Sequence, residues 1–134
     1  MWRFVRKQGQ DGDVLRDDVF IGHAYSGYDD GDGIPELGEG KNDPTKERLR
    51  GIGPVPRGRY RMSRPFFHET AGPYVIRLTP LEGTETYGRS GFLVHGDSVR
   101  LPGSVSHGCI VAHRAIRVLM GEAVEEGDDI LEVV

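Results

Sequence analysis

Alternating hydrophobic and polar positions predict that this chain is built mainly of short strands. The first segment, WRFVRK (residues 2–7), sends Trp2, Phe4 and Arg6 to one face and the residues between them to the other, as a half-buried strand does. Turn-forming residues separate further apolar segments, and this favours β structure. The other predicted strands cover residues 19–27, 59–63, 74–80, 91–96, 109–113 and 129–134.

One segment has the spacing of a helix. Ile116, Leu119, Met120 and Ala123 recur at i, i+3, i+4 and i+7, which predicts an amphipathic helix of about three turns. It would follow the strand that contains the only cysteine. The predicted fold class is therefore mainly β with a single α-helix.

A long segment between the predicted strands has no periodicity. Residues 27–53 are rich in Gly, Asp and Pro, which predicts a long surface loop. Loops of this length in a small domain are usually functional or mobile. We expect the loop to border a binding cleft, with its acidic first half attracting an amine. The alternative is a flexible surface loop that takes no part in binding.

Composition narrows the class of protein. A length of 134 residues predicts one domain, 1–134, that can bury a core without disulfides or metals. The net charge is −4 and no basic stripe is present, so we expect no nucleic-acid partner. No apolar run approaches the length of a membrane span and the N-terminus lacks a signal-peptide pattern, so we expect synthesis in the cytoplasm.

The chemistry concentrates near Cys109. A lone cysteine is usually a buried core residue. Here it ends the polar sequence Ser106-His107-Gly108-Cys109, and His95 follows an apolar strand. A neighbouring imidazole lowers a thiol pKa, and a glycine lets backbone N–H groups approach an oxyanion, so this sequence predicts a nucleophilic cysteine with a lowered pKa.

These residues match a known pattern. The segment HGDSVRLPGSVSHGCI (residues 95–110) resembles the active-site signature of L,D-transpeptidases, the YkuD-like cysteine enzymes of peptidoglycan. More of the chain resembles a short branch of that fold that includes type VI secretion effectors, which attack the peptidoglycan of rival bacteria. The matching pieces, in the branch's order, are Trp2, AYSG (24–27), KNDP (41–44), GPVPRGRY (53–60) and FLVHG (92–96).

The resemblance implies a fold and an activity. The fold would be a small β-sandwich or barrel with the helix after the active-site strand. The reaction would be acyl transfer on peptidoglycan tetrapeptide stems through a cysteine thioester, giving transpeptidation, carboxypeptidation or D-amino-acid exchange. The protein would act in the periplasm or cell wall after delivery by secretion or phage machinery, and an immunity protein is a further possible partner.

The resemblance also implies roles for individual residues. Cys109 would be the nucleophile and His95 the general base, oriented by the carbonyl of Gly96. The N–H groups of His107, Gly108 and Cys109 would form the oxyanion hole. We expect the His107 side chain to support the turn; lining the pocket is the alternative.

Substrate recognition is less defined. The resemblance implies that Ser106 and Tyr25 contact substrate. The family usually has Arg or Asn two residues after the cysteine, where this chain has Val111. Arg114 or Arg89 are the candidates to hold the substrate carboxylate instead.

Other functions compete with this one. A calcium loop in residues 28–39 would need a ligand at Tyr28, which has none to offer, and a zinc site would need His113 beside the cysteine and the other histidines. We therefore expect no metal and no other cofactor. A non-catalytic peptidoglycan-binding module of the same fold remains the alternative to an enzyme.

Overall fold

Eight strands close into a barrel, and a ninth flanks it. In this computed structural model, residues 1–28, 39–97 and 108–134 are described. The elements are β1 (Trp2–Val5), β2 (Gly12–Arg16), β3 (Val19–Ser26), β4 (Gly58–Met62), β5 (Phe66–His68), β6 (Gly72–Pro80), β7 (Leu93–His95), β8 (Ile110–Ala112), α1 (Arg114–Glu125) and β9 (Ile130–Val133).

Barrel closure depends on one long-range pairing. The strand order is β4-β9-β1-β2-β3-β8-β7-β6, and β4 also pairs with β6. Because both ends of the sheet meet there, closure leaves these eight strands without a free edge. β5 pairs with β6 alone, outside the ring. The prediction of a mainly β fold with one helix after the cysteine strand is confirmed.

The predicted strands agree with the structure except at two places. β2 and β5 are absent from the sequence-based assignment, and both are short segments with a register shift in their pairing. In β1 the predicted alternation is confirmed, since Trp2 and Phe4 are fully buried. Arg6, just beyond the strand, is also buried and pairs with Glu47 at 2.5 Å.

The helix α1 packs against the barrel with a face slightly different from the predicted one. Ile116, Met120 and Ala123 join the core cluster, whereas Leu119 is 42% exposed. Arg117 and Gly121 are buried in its place. Leu119 lies at the edge of the apolar stripe, where a 3.6-residue period turns it toward solvent.

The segment that joins β3 to β4 is packed where it is described. Asn42 is fully buried; its Oδ1 accepts from the Ser26 N–H at 2.9 Å and its Nδ2 donates to the Gln10 carbonyl at 2.6 Å. A 3₁₀ turn follows at Pro44–Lys46. Most of the acidic half of the predicted loop, residues 29–39, lies outside the described residues; its last member, Glu39, is described and is buried.

Within the described ranges, no helix is long and apolar enough to cross a membrane.

Candidate active site

Two adjacent parallel strands bring His95 and Cys109 to one surface. β7 and β8 pair in parallel with Val94 opposite Ile110, both fully buried in the core. His95 ends β7 and Cys109 immediately precedes β8, so the two residues flank this strand pairing. Both side chains line the same cleft.

A cleft of about 440 Å³ opens beside these two side chains, and we call it the histidine cleft. Its described lining residues are His68, Thr70, Ala71, Leu93, His95, Gly96, Asp97 and Cys109. Residues from β5, the β5–β6 turn, β7 and the two positions after it, together with Cys109 just before β8, therefore form one concave site.

The His95 ring is oriented by its neighbour. Its Nδ1 lies 2.8 Å from the Gly96 carbonyl oxygen. A carbonyl can only accept, so Nδ1 carries the hydrogen and Nε2 keeps a lone pair. His95 can therefore take up a proton at Nε2.

A buried arginine explains why position 96 is a glycine. A Cβ on Gly96 would lie 3.0 Å from Nη2 of Arg117, tighter than normal packing allows. That guanidinium is fixed by hydrogen bonds to the carbonyls of Ala112, Pro73 and Tyr74. Arg117 thus joins the helix, β8 and the start of β6 beneath the end of β7.

Burial keeps both reactive groups neutral. It lowers the pKa of His95, against the opposing effect of the hydrogen bond to the Gly96 carbonyl. It raises the pKa of Cys109, against the opposing effects of the Leu93 backbone and the Arg89 charge. The sequence-based expectation of a lowered thiol pKa is wrong, because desolvation of the thiolate outweighs the nearby favourable interactions. The resting pair is a thiol and a neutral imidazole.

The backbone just before Cys109 is in a conformation that requires glycine. Gly108 has φ +127°, and a Cβ there would overlap Nη2 of Arg89. The Gly108 carbonyl also accepts a hydrogen bond of 3.5 Å from the buried Ser26 hydroxyl. The thiol of Cys109 donates to the Gly91 carbonyl at 3.6 Å.

Arg89 links this backbone to the β3–β4 segment. It is 6% exposed, and its Nη1 donates to the carbonyls of Glu47 and Pro54, the latter at 2.8 Å. Its Nη2 donates to the Gly53 carbonyl at 3.0 Å. The guanidinium therefore holds residues 47–54 against Gly108.

A second cleft, of about 220 Å³, lies on another side of the cysteine, and we call it the arginine cleft. Its described lining residues are Arg50, Arg89, Ser90, Gly91, Phe92, Gly108 and Cys109. The thiol therefore borders two clefts with different linings.

Two residues of the histidine cleft escaped the sequence analysis. His68 carried no recognisable pattern, yet its Nδ1 accepts from the N–H groups of Thr70 at 3.2 Å and Ala71 at 3.0 Å. This leaves Nε2 as the N–H donor of that ring. Asp97 accepts from the Tyr25 hydroxyl at 2.7 Å. Asp97 follows the His-Gly pair directly, which was the one available signal.

The remaining predicted site residues lie in different places. Tyr25 is 4% exposed and lines a further cleft of about 310 Å³ together with Lys41 and Asp97. Arg114 is exposed and stacks on the Tyr74 ring at 5.2 Å, outside the described linings of both cysteine clefts. Ser106 and His107 lie outside the described residues.

His113 begins the helix rather than facing the cysteine. Its Nδ1 accepts from the Ala115 N–H at 3.2 Å as the N-cap of α1. In residues 1–28, 39–97 and 108–134 no group of three His, Cys, Asp or Glu side chains has the arrangement of a metal site. Most of the calcium-loop pattern lies outside those ranges.

Comparison with known proteins gave one match. A family model described as the Tlde1 domain matches residues 22–130, which run from within β3 to the first residue of β9 and include both cysteine clefts. The comparisons with curated proteins and with solved structures each gave no match.

Proposed function

This chain belongs to the Tlde1 domain family, a type VI secretion effector family that targets peptidoglycan, and we propose that it catalyses cysteine-dependent acyl transfer on peptidoglycan stem peptides. The carrying observation is that Cys109 and His95 line one cleft, with the unprotonated Nε2 of His95 able to act as a base. One domain, residues 1–134, would supply the whole reaction.

The first half-reaction forms a thioester. His95 Nε2 accepts the thiol proton as the Cys109 sulfur attacks the carbonyl between a diaminopimelate-type residue and the terminal D-alanine. The tetrahedral intermediate then collapses, the C–N bond breaks, and His95 returns the proton to the departing amine of D-alanine.

The second half-reaction regenerates the thiol. An amine or a water enters the histidine cleft, loses its proton to His95 and attacks the thioester. An amine from another stem gives a crosslink, a free D-amino acid gives exchange, and water gives carboxypeptidation. The thiolate leaves and recovers the proton from His95, so the enzyme ends the cycle unchanged.

Backbone N–H groups of Gly108 and Cys109, with that of His107, are assigned to the oxyanion. Preorganised donors of this kind contribute strongly because they need no reorganisation during reaction. The anchoring of Gly108 by Ser26 and its close contact with Arg89 support this role, since both hold the peptide in one position.

The alternative is a module that binds peptidoglycan without chemistry. Binding alone does not require an imidazole with an unprotonated nitrogen in the same cleft as a thiol, so the residues favour an enzyme. A cysteine-reactive probe that labels the folded protein, and is blocked by stem peptide, would favour it further.

The deciding experiment is mass spectrometry of purified tetrapeptide muropeptides after incubation with the protein. Loss of D-alanine, D-amino-acid exchange and dimer formation each identify one outcome of the second half-reaction. Cys109→Ala is the matched control, and intact-protein mass spectrometry after rapid acid quench should show a stem-peptide adduct in the wild type alone. Tetrapeptides that bind but remain unchanged under all acceptor conditions would favour the binding module.

Delivery and regulation follow from family membership. We expect secretion machinery to carry the protein to the cell wall and an immunity protein to protect the producing cell. Such an inhibitor would act most directly by covering the histidine cleft, where its binding should block labelling of Cys109.

A further inference from the structure

Cys109 borders two clefts whose charged groups differ. The histidine cleft contains the Asp97 carboxylate and two imidazoles. The arginine cleft contains two guanidinium groups, and among its described lining residues there is no carboxylate. A substrate attached to the sulfur and extending into both clefts would therefore meet a carboxylate on one side and positive charge on the other.

The route of the proton decides which half of the substrate occupies which cleft. In the proposed reaction the leaving amine receives its proton from His95, and the incoming amine or water gives its proton to the same nitrogen. Proton transfer requires hydrogen-bond contact, so both must pass through the histidine cleft. The acyl half stays bonded to the sulfur and must extend away from the entering group. The arginine cleft is the second described cleft that Cys109 borders, so it is the one available to the acyl half.

Arg50 has the properties of a ligand-binding cation. Its side chain is exposed, and its Nη2 donates to the Gly88 carbonyl at 3.1 Å. A guanidinium has five N–H donors, so a single carbonyl contact leaves a two-pronged edge for a carboxylate. Among the residues that the structure describes, no carboxylate forms an ion pair with Arg50.

Arg89 supports this site from below without competing for the ligand. Three backbone carbonyls occupy its guanidinium, so it contributes positive charge rather than direct contacts. Burial lowers its pKa, but an arginine keeps its proton in the accessible pH range. Its charge at the floor of the cleft favours an anion beside Arg50.

Building on the proposed acyl transfer, we propose that Arg50 binds a carboxylate of the acyl half of the stem peptide in the arginine cleft. The ligand is a carboxylate on the part of the substrate that remains attached to Cys109 in the thioester. The similar enzymes usually carry Arg or Asn at the position of Val111, and valine has no polar group with which to bind a carboxylate. Arg50 would bind the carboxylate instead.

The test uses binding, so it does not depend on turnover. Tetrapeptide stem and a derivative with its acyl-half carboxylates amidated are titrated calorimetrically into Cys109→Ala protein. Adding Arg50→Gln should weaken binding of the carboxylate form about tenfold, the scale of one charge-assisted hydrogen-bonded pair at an exposed site. The amidated form should bind equally to both proteins, and Arg50→Lys should restore part of the loss.

Arg57→Gln is the matched control, because it removes the same charge from an exposed arginine outside the described linings of both clefts. In the active protein, Arg50→Gln should raise KM about tenfold and leave kcat nearly unchanged. Equal losses for Arg50→Gln and Arg57→Gln, or equal losses with both peptides, would overturn the assignment. If stem-peptide binding depends on Arg50 but no turnover occurs, the carboxylate site is supported and acyl transfer is refuted. If the stem peptide does not bind at all, both the carboxylate site and acyl transfer are refuted.

Discussion

Replacing Gly108 by alanine tests how the backbone before the nucleophile is held. Two penalties are expected. At φ +127° a Cβ is strained, which costs about 1–3 kcal/mol. The new methyl would also overlap Nη2 of Arg89. Three backbone carbonyls hold this guanidinium in place, so it cannot move aside. Overpacking of this kind costs about 1–3 kcal/mol more. The free energy of unfolding should therefore fall by about 2–6 kcal/mol.

The control for strain alone is Gly83→Ala. Gly83 has φ +88°, but an added Cβ would meet nothing within 4 Å. It should therefore lose only the strain part, about 1–2 kcal/mol. Urea unfolding of both variants beside the wild type separates the effect of backbone conformation from that of the Arg89 contact.

Gly108→Ala should also reduce turnover beyond any loss of folded protein. Relief of the overlap must move the Gly108–Cys109 peptide by about 1 Å, and a displacement of that size at a reacting centre costs about 10²-fold in kcat. Tetrapeptide processing by the folded fraction is the assay, with Gly83→Ala expected at wild-type kcat. If Gly108→Ala matched Gly83→Ala in both stability and kcat, the contact with Arg89 would not position the nucleophile, and this reasoning would be refuted.

Four further predictions concern titratable groups. His95→Gln should lower kcat by at least about 10²-fold with the fold retained by circular dichroism, and His107→Ala should cost less; the reverse order would exchange their roles. Alkylation of Cys109 should be slow at neutral pH and rise to half-maximum above the usual thiol value of about pH 8.5, because burial raises its pKa; a lower midpoint would contradict this. The acid limb of kcat/KM should fall below pH 6.5, since burial lowers the pKa of His95 and keeps the base neutral; a limb above that pH would contradict this. Burial alone would raise the pKa of Glu47, but hydrogen bonds, of which that from Arg6 is the largest, lower it in the folded protein. The ionised Glu47 therefore stabilises the fold above about pH 4.3, and this stabilisation is lost as the pH falls through the lower folded pKa. Glu47→Gln should make the urea midpoint less dependent on pH between about pH 3 and 5, and an unchanged pH dependence would refute this.

The local sequence was sufficient for the elements that local physics governs. Alternation in residues 2–7 predicted β1 because a half-buried strand must repeat every two residues. The helix was predictable from its 3.6-residue period, although its exact face was not, since Leu119 is exposed. β2 and β5 escaped prediction because their pairing with neighbours, rather than an internal pattern, makes them strands.

The candidate site divides in the same way. The neighbouring residues His95, Gly96, Gly108 and Cys109 could be proposed as a catalytic group from their order in the chain. The contribution of His68 could not, because its cleft position depends on β5 pairing with β6.

Amino-acid sequence alone thus determined the reactive groups, since these depend on side-chain chemistry and on patterns a few residues long. Only the tertiary structure decided their electrostatic state and surroundings. The thiol pKa is raised because the folded chain removes water from Cys109, a quantity that no local pattern encodes. Likewise, Arg50 and Arg89 meet Cys109 in one cleft because residues 47–54 are bound to Arg89 across 35 or more positions of the chain, a contact that exists only once the barrel has closed.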